Sequence, residues 1–223
     1  KVFGKPLWLT EFCAWDGTSS SAAQCQFMAQ SINYLEQDDD LERYAWFIPR
    51  WNQATESAPF MQLITKAKPY ELTERGILFV NMSTFDKNAV YPCGKRIPAE
   101  HYRACSINDS YASPAVSLCT DVNGILQIDG LALNQWMDYK INILSGVKDF
   151  QIRYTATRDS EITIYRVDEN GNETALQTIA LPSTASKTAW TTLTESFTPE
   201  AGEQVLRLKC TKGLPRINWF KLK

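Results

Sequence analysis

The sequence predicts two unlike parts in one chain: a β/α portion of barrel type over residues 1–90 and an all-β antiparallel sandwich over residues 91–223. Three observations lead there. The first fifty residues read strand, helix, strand with short links, the pattern of two parallel strands joined by a crossover. Beyond residue 91 the texture changes to about nine short runs separated by turns, as in a sandwich. Between them, residues 81–96 carry few periodic signals and are punctuated by Pro92 and Gly94, which places a boundary near Tyr91.

Leu7, Trp8 and Leu9 form an apolar run that reads as a short buried strand, and Glu11 stands where the run stops, with Trp15 and Asp16 close behind. A carboxylate at the C-terminal end of a parallel strand is where a β/α barrel keeps its catalytic groups. The competing reading is a strand-end Glu paired with a Lys or Arg, and position alone does not separate the two. From Ser19 to Glu36 the apolar residues Phe27, Met28, Ile32 and Leu35 recur at helical spacing, and Ser19, Ser20 and Ser21 offer N-caps. Leu41 to Ile48 reads as a second buried strand, parallel to the first.

In the second part, strands are expected over 97–103, 124–128, 136–143, 150–157, 162–167, 174–181, 189–197, 205–211 and 217–222. Phe150, Ile152, Tyr154 and Ala156 alternate onto one face. Glu169-Asn170-Gly171-Asn172 is a hairpin turn of the Asn-Gly type. Trp136 and Trp219, flanked by apolar residues, read as core, and His101 as an ordinary strand residue.

The formal net charge is −2, so nothing suggests nucleic acid or an anionic membrane, and no apolar run has the length of a membrane span. Seven Trp and nine Tyr are plentiful; most are expected in the core, and a few exposed ones would suit the C–H face of a sugar ring. The six cysteines form no CxxC pair and there is one His, which argues against zinc. Their even number favours disulfides and an oxidising compartment. Cys13 with Cys25 would close a short loop, leaving Cys93, Cys105, Cys119 and Cys210 with pairing open. Asn81, Asn108 and Asn172 begin glycosylation sequons, which matter only in a eukaryotic host.

The stretch KPLWLTEFCAWD (Lys5–Asp16), followed by LERYAWF (Leu41–Phe47), resembles the last two strands of glycoside hydrolase family 128, whose members are retaining β-1,3-glucanases on a β/α (TIM-type) barrel. The resemblance covers residues 1–80. It makes Glu11 the nucleophile, puts Trp46 in the lining of the sugar site, suggests Trp15 as a further stacking residue, and makes Tyr70–Gly76 (YELTERG) the passage to the final helix. A whole barrel needs about 250 residues and eight strands, and the family's acid/base Glu lies on a strand absent from this sequence. Retaining hydrolysis needs two carboxyl groups about 5 Å apart. The rest of the barrel is therefore expected upstream or on a separate chain, and the lack of an initiator Met or signal peptide fits a fragment or a processed product.

The motifs IPAEHY (Ile97–Tyr102), QWMDYKINI (Gln135–Ile143), FQIRYTA (Phe150–Ala156), TAWTTL (Thr188–Leu193) and GLPRINWFKL (Gly213–Leu222) occur in the order of family 6 carbohydrate-binding modules, which are jelly-roll sandwiches. The resemblance covers residues 96–223. It makes Glu100 and Trp190 sugar-binding residues and sets Arg216 and Asn218 at the positions of the C-terminal motif, with Arg216 in place of the family's usual Asn. No aromatic stands at the second clamp position, and Tyr111 is the substitute. The family often holds a structural calcium near Glu100; Pro98 stands where an acidic ligand is usual, so calcium remains open and no other cofactor is expected. Together the resemblances imply the C-terminal end of a TIM-type barrel joined to a jelly-roll sandwich: part of a secreted, extracellular endo-β-1,3-glucanase with β-glucan polysaccharide as partner. The alternative is a non-catalytic β-glucan-binding protein.

Overall fold

The computed structural model describes residues 4–14, 20–50, 60–82, 88–106 and 114–223, and the chain divides into two compact units, 1–86 and 87–223. Trp15, Asp16, Ser19, Ser83, Asn108 and Tyr111 lie outside the described residues.

In the first unit, β1 (Leu7–Phe12) leads through α1 (Ser21–Gln37) to β2 (Leu41–Trp46), and β1 pairs with β2 in parallel, as a crossover connection requires. Ser20 caps α1, its Oγ accepting from Ala23 N at 3.1 Å, and Met28, Ala29 and Ile32 are buried along one face. That face packs on α2 (Glu74–Met82), which begins inside the YELTERG stretch and buries Leu78 and Met82. The strands are less buried than expected. Leu7 and Trp8 are 56% and 59% exposed, because the described residues supply only a two-stranded sheet to cover them. Among the described residues this unit is a βαβ unit with one further helix and does not itself show a barrel.

The second unit is a sandwich of two sheets. The first joins β3 (Tyr91–Pro92), β5 (Ala104–Cys105), β8 (Trp136–Ile143), β10 (Ser160–Val167), β11 (Glu173–Leu181) and β13 (Gly202–Lys212) in the order β11-β10-β13-β8, with β3 and β5 both on β8. The second joins β4 (Ile97–Pro98), β6 (Val116–Leu118), β7 (Leu126–Ile128), β9 (Asp149–Thr155), β12 (Thr191–Ser196) and β14 (Arg216–Leu222) in the order β12-β9-β14-β7-β6, with β4 on β14. Strict alternation builds the core: Met137, Tyr139, Ile141 and Ile143 of β8 face Phe150, Ile152 and Tyr154 of β9 and Phe220 of β14. Phe150 and Phe220 stack at 5.6 Å, with Tyr139 edge-on to Phe220 at 4.7 Å. At the β10–β11 hairpin, Gly171 takes φ +83° while Asp168 Oδ1 accepts from Asn170 N and Asn172 N. The strand expected over 97–103 is broken, with only Ile97–Pro98 and Ala104–Cys105 paired.

Trp136 and Trp219 are not core residues. Alternation turns both outward, half-buried, and an arginine covers each ring: Arg207 Cζ lies 3.4 Å from the Trp136 centroid and Arg96 Cζ 4.4 Å from that of Trp219. Asp138 holds Arg207 by two hydrogen bonds of 2.7 and 2.8 Å.

All six cysteines are free. The Cys13–Cys25 bridge expected from the sequence is not formed: Cys13 Sγ donates to Met61 Sδ at 3.4 Å, and Cys25 is buried beside the Arg75 guanidinium.

Candidate functional site

Glu11 stands exposed near the C-terminal end of β1. The register with β2 shifts between Leu9 and Phe12, so three steps along β1 match two along β2, from Tyr44 to Trp46. Such an irregularity re-aims the side chain it carries. Trp46, expected in the lining of a sugar site, is instead a core residue at 5% exposure. Its indole N–H donates to Met61 O at 2.8 Å, and its ring meets Phe12 at 5.2 Å and Phe27 at 6.3 Å.

In the sandwich, the link between β6 and β7 gathers three of the expected residues. Trp190, half-buried just before β12, donates from Nε1 to Thr120 Oγ1 at 3.0 Å, and Gln127 Oε1 holds Thr120 N at 3.2 Å. Asn218 lies in β14 where the register with β9 shifts: Ile217 pairs with Tyr154, yet Trp219 pairs with Arg153. The extra residue leaves Ile217 and Phe220 both facing the core and frees Asn218 from that face. Its Nδ2 donates to Asp121 Oδ2 at 2.8 Å, and its carbonyl accepts from Ala99 N at 3.0 Å, which brings the neighbouring Glu100 to the same place. Asp121 also takes Arg153 by two bonds of 2.7 and 2.6 Å. The link closes tightly at Gly124, where an added Cβ would stand 2.4 Å from Cys119 Sγ and 3.0 Å from Asn218 Nδ2.

Glu100 is 6% exposed and its Oε2 has no hydrogen-bond partner among the described residues. Burial pushes its carboxyl up to about 7, against its own backbone N–H, which lowers it. Asp121 goes the other way, held below the ordinary aspartate range first by Arg153 and then by Asn218. Arg216 is separate: its Nε donates to Asp129, in the link before β8, so Asp129 claims part of the guanidinium expected to meet sugar. Thr120 and Asp121 stand in no sequence motif, and Arg153 stands in FQIRYTA without a role that the resemblance assigns to it. Among the described residues no group of three or more His, Cys, Asp or Glu is placed to hold a metal ion, and Pro98 offers no carboxylate beside Glu100.

Residues 99–223 match the family model described as carbohydrate binding module (family 6). The chain belongs to that family. Its family 6 module shares its fold with solved modules from Clostridium stercorarium in complex with cellobiose (19% identity, 61% of this chain and 98% of that chain, TM-score 0.51) and a β-1,3-glucan-binding module from Bacillus halodurans (20%, 60% and 99%, TM-score 0.53). It also matches a family 43 arabinoxylan arabinofuranohydrolase from Bacillus subtilis (13%, 60% and 28%, TM-score 0.52). Ahead of the family 6 module, residues 1–79 match the model described as glycosyl hydrolase catalytic core. No curated protein matches the chain. A catalytic-core segment beside a family 6 module fits a glycan-degrading enzyme that carries its own binding module.

Proposed function

We propose that this chain is the C-terminal part of a secreted, retaining endo-β-1,3-glucanase. Glu11 attacks the anomeric carbon, and an acid/base Glu outside this sequence protonates the leaving oxygen. The observation that carries this reading is the exposed Glu11 on a register shift near the C-terminal end of a parallel strand, within a segment matching a glycosidase core. The remaining barrel strands, upstream or on another chain, would cover Leu7 and Trp8. The sandwich holds the enzyme on β-glucan through Trp190, Asn218 and Glu100, raising local concentration without new chemistry. A polymer substrate lies outside the cell, which supports secretion.

The test is Glu11→Ala in the full-length protein on laminarin; hydrolysis near the wild-type rate would remove Glu11 from the mechanism. The 223-residue chain alone has one carboxylate of the required pair and should give no turnover, while still being retarded by laminarin in affinity electrophoresis. Unchanged retardation of Trp190→Ala would clear Trp190 of any part in the site. The second reading, a non-catalytic β-glucan binder, is favoured by the burial of Trp46, which withdraws one sugar contact from the first unit. It stands if full-length protein binds laminarin but does not cut it.

A further inference from the structure

We propose that Asp121 is the positioning residue of the glycan site: by bridging Arg153 of β9 and Asn218 of β14 it sets both the Trp190 ring and the Asn218 amide that meet the sugar. The inference rests on the glycan-site reading above. Nothing in the sequence links these residues. Asp121 is 32 positions from Arg153 and 97 from Asn218, and its side chain is 5% exposed between them.

Two consequences follow from the bonds it makes. Asp121 Oδ1 and Oδ2 both accept from Arg153, and Oδ2 accepts from Asn218 Nδ2 as well, so the link is anchored to two strands at one carboxylate. The next residue back, Thr120, is the acceptor for the Trp190 indole, so the ring's tilt is set by where Asp121 holds the link. Second, a charged carboxylate only accepts, so it must face the amide's Nδ2 and turn Asn218 Oδ1 the opposite way. The site then reads sugar hydroxyls as donors at Asn218, and the Arg153 charge keeps Asp121 in its accepting form.

The probe is laminarin, titrated into the full chain by calorimetry, with thermal unfolding of each variant alongside. Asp121→Asn is expected to weaken binding about tenfold or more, because the new amide no longer forces Asn218 into one orientation. Thr120→Val leaves the ion pair intact, should weaken binding about fivefold, and should shift the tryptophan emission change that laminarin causes. Asp121→Asn binding like wild type, while Trp190→Ala does not bind, would overturn the positioning role alone. Thr120→Val that binds like wild type and leaves the emission change unmoved, while Asp121→Asn binds weakly and melts early, would reduce Asp121 to a structural residue and overturn it too. Wild-type binding by Trp190→Ala would remove the glycan site itself, and the proposal with it. If Asp121→Asn does not fold, Thr120→Val decides: unchanged affinity refutes the proposal.

Discussion

Glu100 should make the sandwich less stable as the pH rises from 4.5 to 7. Unfolded, its carboxyl titrates at the ordinary 4.5; folded, burial holds the proton up to about 7. Across that window the folded chain binds a proton the unfolded chain has released, so the slope of stability with pH is negative. At about 1.4 kcal/mol per pH unit the loss reaches about 3 kcal/mol by pH 7 and is constant above it. Glu100→Gln keeps the size and polarity and removes the titration, so urea unfolding of the two full chains from pH 4.5 to 7 should diverge by about that amount. The difference between the chains isolates Glu100 from other groups titrating in the same window. Two curves that run parallel, or a wild type that gains on the variant as pH rises, would refute the reasoning. The second result would mean a cation beside Glu100 favours its charge, and added calcium would then raise the wild-type Tm.

Gly124→Ala must push its Cβ against Cys119 Sγ at 2.4 Å and so should cost about 1–3 kcal/mol and weaken laminarin binding, read by thermal unfolding and calorimetry. Phe220→Ala removes a ring wholly buried between Tyr139 and Phe150 and should cost about 3–5 kcal/mol in urea unfolding with the binding stoichiometry unchanged in the folded fraction. Arg207→Ala strips the counter-charge from Asp138, which is nearly buried, and should cost about 3–5 kcal/mol by the same measurement.

The strands were legible where alternation is strict. Trp136–Ile143 was readable to the residue because its inward Met137, Tyr139, Ile141 and Ile143 alternate with Trp136, Asp138, Lys140 and Asn142. The same alternation puts Trp136 on the outer face, and reading its apolar neighbours instead of its register is what made it a core residue in the sequence. No pattern in sequence announces an arginine arriving from β13 to cover it. The apolar run at Leu7 and Trp8 implies a burial that the described residues do not provide, because such a run reports what a strand requires, not which neighbours a given chain supplies. Glu100, Trp190 and Asn218 were visible as motifs; Asp121 was not, since a single Asp in a short link has no periodicity and its partners are chosen only when three strands close around it.

The irregular step at Asn218 means that scaffold and sugar reader are separable. Remove position 218 and Ile217 still points inward, Trp219 outward and Phe220 inward, now in unbroken alternation. A single-codon deletion there should therefore leave a well-folded sandwich that has lost its grip on polymer. One inserted amino acid is all that distinguishes an inert strand from one that carries recognition, so such a module can acquire or shed a ligand without renegotiating its interior.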